Sequence, residues 1–142
     1  MAKISVQQKF KQSPEVVFAA FSKHSTYNTA FWPVQVERIK DAADPQNPDG
    51  LGSVRQMGFG PIKPIKEKIT VLEPNQLIEY ELIDNPLIKH HVGRLKFTSI
   101  EGGTLLTYDI ELTGKLPLMS LPILASLKVA VSIGLAKIAR QL

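Results

Sequence analysis

The sequence predicts an α+β fold: a curved antiparallel sheet of seven strands, with two short helices and a long C-terminal helix over a cavity. Three observations predict it. Residues 4 to 10 alternate apolar and polar side chains, the period of a half-buried strand. From residue 52 to 113, five strand-like runs follow one another, separated by short turn signals. From Pro117 the period changes, and Leu124, Leu127, Val131, Leu135, Ile138 and Leu142 fall on one helical face.

Each element follows from local chemistry. Ile4, Val6, Gln8 and Phe10 share one side of the first strand. Ser13-Pro14-Glu15 starts a helix: Ser13 can cap it, Pro14 suits its first turn, and Glu15 suits the positive end of its dipole. Val17, Phe18 and Phe21 give that helix its apolar stripe. A second short piece, helical or irregular, spans Lys23 to Thr29, and Pro33 argues against helix continuing. A second strand covers 34–40, then DAADPQNPDG (41–50) reads as a polar loop. The remaining strands are expected at 52–59, 65–72, 77–84, 88–100 and 104–113. Gly60-Pro61, Glu73-Pro74-Asn75, Asn85-Pro86 and Glu101-Gly102-Gly103 separate them, so neighbours should pair as antiparallel hairpins. The terminal helix runs from about 120 to the end and should bury its stripe on the concave face of the sheet.

At 142 residues the chain suits one domain, 1–142, with one core. It has no cysteine, which excludes disulfides, thiolate metal sites and cysteine nucleophiles. Met1-Ala2-Lys3-Ile4-Ser5-Val6 has no apolar run of the signal-peptide kind, and a cytoplasmic location is expected. The net charge of +4 is spread over scattered lysines, without the basic clusters of a nucleic-acid surface, so no nucleic-acid partner is expected.

The order of elements and a set of motifs resemble the START-like (SRPBCC) superfamily, the polyketide cyclase/dehydrase and lipid-transport group that includes the birch-pollen-allergen proteins. The residues that carry the resemblance are the strand ending at Phe10 and Ser13-Pro14-Glu15-Val16-Val17-Phe18. They continue with Tyr27, Trp32, Gly52-Ser53-Val54-Arg55, Glu67-Lys68-Ile69-Thr70, Pro74, Tyr80 and the long terminal helix. The resemblance spans nearly the whole chain. It implies a helix-grip fold with a cavity between sheet and helix. Members bind lipids, sterols, polyketides, plant hormones or quinones, and some catalyse cyclisation, dehydration or hydrolysis. The expected function is therefore binding or transport of a small hydrophobic or amphiphilic molecule, without a cofactor. A polyketide cyclase or dehydratase using the same cavity, and a quinone-associated partner-binding module, are the alternatives.

Strand alternation points to the polar residues of that cavity. Arg55 and Glu67 mirror each other about a turn at 60–64, and share faces with Met57 and Phe59 and with Ile65, Ile69 and Val71. A buried pair of this kind either orients a polar ligand group or satisfies itself as a structural ion pair. His91 shares its face with Gly93, Leu95 and Phe97, and either moves protons or is a hydrogen-bonded wall residue. His90 should point outward. Two adjacent histidines on a strand cannot chelate one metal, so no metal site is expected. Tyr80 and Tyr108 offer an apolar body with a polar tip, for a ligand or for the core. Trp32 is expected near the cavity entrance, packed as core or as a contact. Leu127 and Val131 are the helix residues expected against the ligand. His24 is placed on the surface.

Three features stay open at this level. GFGPIKPIK (58–66) reads as a hairpin loop, either a stiff turn or a lid whose Lys63 and Lys66 meet an anionic group. Gly134 interrupts the helical stripe, leaving space for a ligand or for a close neighbour. Residues 116–136 nearly have the length of a membrane span, but Lys128 interrupts them and the stripe is one-sided. Transient membrane contact, or a dimer contact through Val129 and Ile133, remains compatible with the pattern. Monomer and homodimer are both allowed.

Overall fold

The computed structural model describes residues 2–115 and 120–142. Its elements, in chain order, are β1 (Ala2–Phe10), α1 (Pro14–Phe21), α2 (His24–Ala30), β2 (Gln35–Lys40), β3 (Val54–Phe59), β4 (Ile62–Glu73), β5 (Leu77–Ile83), β6 (Ile88–Ile100), β7 (Gly103–Gly114) and α3 (Ser120–Gln141). The seven strands form one antiparallel sheet in the order β1-β7-β6-β5-β4-β3-β2. Only β1 pairs out of sequence, with β7, which makes β1 and β2 the two edges. Bulges at Ile39, Thr70 and Lys89 add one residue each to a strand, a further one adds a residue to β4 opposite Gly58, and together they help bend the sheet. Pro117 and the start of the 116–136 segment lie outside the described residues.

α3 lies against β1, α2 and β7. Leu124, Val131, Leu135 and Ile138 of its stripe are buried in the same core as Val6, Phe10, Leu106 and Tyr108. Leu142, expected on this face, is 40 % exposed because the helix ends at Gln141. The floor beneath α1 and α2 is aromatic. Phe21 meets Phe10 and Tyr27 edge-on, at 5.8 and 5.9 Å between ring centroids, and the Tyr27 hydroxyl donates to the Phe21 carbonyl at 2.7 Å. This packing fills one end of the curved sheet and leaves the other end, beyond Tyr27, unfilled.

Local chemistry departs from the sequence expectation at four points. Ser13 holds the N-cap position of α1, but its carbonyl takes the Val16 and Val17 amides while its hydroxyl makes no capping bond. The Thr70 bulge moves Val71 opposite Glu79 and brings Leu72 opposite Ile78, so Leu72 and not Val71 joins the inner face. The 58–66 segment is mostly strand, with a tight turn at Gly60-Pro61 in which Gly60 takes φ +55°. Gly58 makes this possible, because a Cβ there would lie 2.6 Å from Lys63 Cα. Gly134 makes room for α2 and not for a ligand, since a Cβ at that position would sit 2.9 Å from Phe31 Cε1 and 3.1 Å from the Ala30 carbonyl.

Candidate functional site

Between α3 and the concave face of β3–β7 lies a cavity of about 720 Å³. Its walls come from Phe31–Val34 after α2, from Met57, Phe59, Ile62 and Ile65 on the β3–β4 hairpin, and from Ile123, Leu127 and Val131 on α3. The polar side chains among the lining residues are Glu67, Tyr80, His91 and Tyr108. All four are buried, and alternation along adjacent strands sets them on one face.

Glu67 pairs with Arg55 in register across β3 and β4. Arg55 Nε donates to Glu67 Oε1 at 2.9 Å, and Nη2 lies 2.9 Å from the same oxygen as an ion pair. The guanidinium also lies over the rings of Tyr27, at 4.0 Å, and Tyr80, at 4.9 Å. Burial is the largest single influence and pushes Arg55 down, but Glu67 together with Tyr27, Tyr108 and Tyr80 holds the group above its ordinary pKa. Arg55 is 1 % exposed and does not line the cavity. It sits behind Glu67 and Tyr80, so the expectation that it reaches a ligand directly is corrected: it anchors the carboxylate that does face the space.

Tyr80 and Tyr108 share one hydrogen bond between their hydroxyls. One hydroxyl donates, which leaves the acceptor's own proton to be given to a third group. Burial raises the pKa of both phenols, with Tyr108 adding to the effect on Tyr80 and Glu67 to that on Tyr108. Both therefore stay protonated at neutral pH. The His91 ring meets the Tyr80 ring edge-on at 5.9 Å. Burial lowers the His91 pKa, against the attraction of Glu67, so the imidazole is neutral near pH 7. Its Nε2 is buried without a hydrogen-bond partner, a costly arrangement unless something in the cavity meets it.

Of the other expected site residues, Leu127 and Val131 line the cavity and Trp32 lies at its mouth. Trp32 is 62 % exposed, so it is a rim residue and not core. Lys63 and Lys66 do not converge on a site. Lys63 reaches back to the Gly60 carbonyl, and Lys66, between the inward Ile65 and Glu67, turns to the outer face. Among the described residues no group of three His, Asp or Glu could hold a metal.

A second polar cluster was not foreseen. His24 is buried, not on the surface. Its Nε2 lies 3.3 Å from Ser53 Oγ, its Nδ1 3.8 Å from Asp49 Oδ1, and its amide donates to Asp49 Oδ2 at 2.9 Å. The three types suggest a nucleophile, base and acid. Yet Ser53 is 0 % exposed and none of the three lines the cavity, so no substrate reaches them. They tie the start of α2 to the 41–53 loop, and Arg38 holds Asp49 from outside. The only prior signal was Asp49 in a turn, too far along the chain from His24 to connect.

Burial, reinforced by Arg55, lowers His24 from 6.5 to about 4. Below pH 6.5 the unfolded chain binds a proton there that the folded chain refuses. Stability should therefore fall as pH drops from about 6.5 to about 4, by about 3 kcal/mol in total, and this contribution should then level off. Denaturant unfolding across this range checks it. His24→Gln should flatten that part of the profile, and an unchanged profile would remove His24 as its source.

The chain was compared with known proteins. The profile of the family described as polyketide cyclase / dehydrase and lipid transport matches residues 1–142. No curated protein matches the sequence. Among solved structures, the ZhuI aromatase/cyclase from Streptomyces sp. R1128 superposes with a TM-score of 0.76 at 13 % identity, covering 99 % of this chain and 94 % of that one. Ara h 8.0201 superposes with a TM-score of 0.70 at 12 % identity, covering 99 % of each chain. The major latex-like protein 151 of Panax ginseng gives 0.62 at 16 % identity, covering 92 % of this chain and 95 % of that one. At these identities the superpositions show the shared helix-grip fold.

Proposed function

This chain belongs to the polyketide cyclase / dehydrase and lipid transport family, and on that premise we propose that it binds a neutral amphiphile in its cavity. The apolar body lies along Met57, Ile65, Ile123, Leu127 and Val131. A hydroxyl or carbonyl at the inner end meets Tyr80, Tyr108 and His91. The observation that carries this reading is the unpartnered His91 Nε2 beside the Tyr80–Tyr108 pair, in a cavity whose only other polar lining side chain among the described residues is Glu67. The volume of about 720 Å³ lies within the range of small-molecule sites.

Charge narrows the ligand class. Arg55 pairs with Glu67 and lies outside the lining, and no lysine or arginine is among the lining residues. A carboxylate head would sit beside Glu67 without a cation, at the cost of an unpaired buried charge. A neutral carbonyl or hydroxyl meets donors and an acceptor already in place.

Thermal unfolding with a panel of neutral quinones, polycyclic phenols and monoacylglycerols, set against fatty acids, tests this. A neutral member at a hundredfold excess over its Kd should stabilise the fold by about 2.7 kcal/mol. Tyr108→Phe and His91→Leu should each weaken its binding about tenfold. Absence of a shift across the neutral panel, or a preference for fatty acids, would sink the proposal.

A second reading has its own support. A neutral imidazole with a free Nε2, next to phenols that can donate to an oxygen, suits proton removal beside a carbonyl. This is the chemistry of a cyclase or dehydratase, with His91 as base and the tyrosine pair on the enolate-like oxygen. Native mass spectrometry separates the two: a carrier returns its ligand unchanged, and a dehydratase returns it lighter by one water. His91→Ala should abolish that loss if the enzyme reading holds.

A further inference from the structure

The Arg55–Glu67 pair is one-sided. Arg55 directs both Nε and Nη2 at a single oxygen of Glu67, Oε1, each at 2.9 Å. A fork laid across both oxygens would have satisfied the whole carboxylate. Here Oε2 accepts no hydrogen bond from any donor among the described residues. It is also not sealed away without a partner in the manner of His91 Nε2, and Glu67 lines the cavity. Oε2 is therefore the oxygen that meets the cavity space.

The sheet brings this carboxylate to the inner end of the cavity. Glu67 shares its face of β4 with Ile65 and Ile69. Ile69 stands opposite Tyr80, which makes Tyr80 the diagonal neighbour of Glu67 across β4 and β5. Tyr80 in turn touches His91 and shares a hydrogen bond with Tyr108. Burial dominates the pKa of Tyr80, Tyr108 and His91, and Glu67 acts on each of them as well, which places it within electrostatic reach of all three.

The donors and acceptors at this end define what fits. The tyrosine pair has one hydroxyl proton left to give. Glu67 Oε2, in a carboxylate paired with arginine, can only accept. His91 Nε2 takes whichever role its tautomer sets. A hydroxyl both donates and accepts, so a single ligand oxygen serves the tyrosine proton and Glu67 together. A ketone or ether oxygen only accepts: it meets the tyrosine and leaves Oε2 stripped of water without a donor. An ammonium would donate, but it adds a second buried cation beside Arg55 with one carboxylate between them.

We propose that Glu67 makes the cavity selective for a ligand whose inner polar group is a neutral hydroxyl, an alcohol or a phenol, which donates to Glu67 Oε2 and accepts from the Tyr80–Tyr108 pair. This rests on the cavity taking a neutral amphiphile and goes further, since a carbonyl would serve that role as readily as a hydroxyl. Glu67 is then the residue that tells the two apart.

Matched probes isolate the one group: cyclododecanol against cyclododecanone, and fluorenol against fluorenone. Titration calorimetry on the intact chain gives each Kd. Each alcohol should bind at least about tenfold more tightly than its ketone. Glu67→Gln combined with Arg55→Met leaves no stranded charge, and far-UV circular dichroism checks its fold. In that variant the preference should drop below about twofold, because an amide both donates and accepts. Tyr108→Phe, which disturbs no charge, should weaken alcohol and ketone alike and keep the preference. Equal affinity for alcohol and ketone in the unaltered chain, or tighter binding of the ketone, overturns the proposal while the cavity still takes a neutral amphiphile. A preference undiminished without Glu67, or lost in Tyr108→Phe, overturns it too. Binding of no probe, alcohol or ketone, overturns the neutral-amphiphile function itself and this selectivity with it.

Discussion

Arg55→Met should destabilise the fold by about 3–5 kcal/mol, because it leaves the Glu67 carboxylate buried without its cation. For a chain of this length the midpoint of thermal unfolding should fall by about 10–20 °C. Methionine roughly replaces the packed stem, so the loss reports mainly on charge and on the contacts over Tyr27 and Tyr80. The double variant Arg55→Met/Glu67→Gln should recover most of the stability, since it removes the stranded charge as well. That non-additivity is the critical measurement. If Arg55→Met costs less than about 1 kcal/mol, or if the two changes simply add, the pair does not anchor the cavity floor. The pair also serves the site, because Arg55 fixes the position of the Glu67 carboxylate where a ligand's polar end would lie.

Gly93→Ala should be the next most damaging change, although alanine normally suits a strand better than glycine does. Gly93 lies opposite Tyr80 across β5 and β6, and the Tyr80 ring lies over it. A Cβ at Gly93 would overlap Cζ, Cε2 and the hydroxyl of that ring. The ring cannot swing away freely, since His91, Tyr108 and Arg55 pack around it. Overpacking of this kind costs about 1–3 kcal/mol. It should also break the Tyr80–Tyr108 hydrogen bond and lower the affinity for a neutral amphiphile about tenfold. Tyr80→Ala with Gly93→Ala should cost less than the sum of the two single changes, because the clash leaves with the ring. A Gly93→Ala protein with full stability and full affinity would show that Tyr80 is not held where it lies. Gly134→Ala is milder, because Phe31 is only partly buried and can yield by a few tenths of an ångström.

Much of the site was legible because strands obey a short-range rule. Arg55 and Glu67 stand opposite each other in the structure because a hairpin mirrors its residues about its turn, and the turn was marked by Gly60-Pro61. Alternation likewise put His91 and Gly93, Tyr80, and Tyr108 on inner faces. The same rule failed after Ile69, where the Thr70 bulge exchanged Val71 for Leu72. A bulge depends on both strands at once, and one strand's pattern does not announce it.

Other points were beyond any local rule. His24 is buried because Ser53, Asp49 and Arg55 arrive from elsewhere in the chain. Gly134 admits the Phe31 ring, which comes from another helix end. Trp32 lies at the cavity entrance as expected, but its exposure there, as against burial in the core, is set by packing from other elements.

The sequence by itself determined the order of elements, the hairpin pairing, the inward faces of most strands and the family. Each of these follows from spacing along the chain, which periodicity and turn chemistry set within a few residues. Only the tertiary structure decided that Arg55 stands behind Glu67 and not in the cavity, that His91 Nε2 is left without a partner, and that one oxygen of Glu67 is left facing the cavity. Those facts depend on distances between residues far apart in sequence. Such distances are settled by how side-chain volumes fill the space between sheet and helix, which no single segment contains.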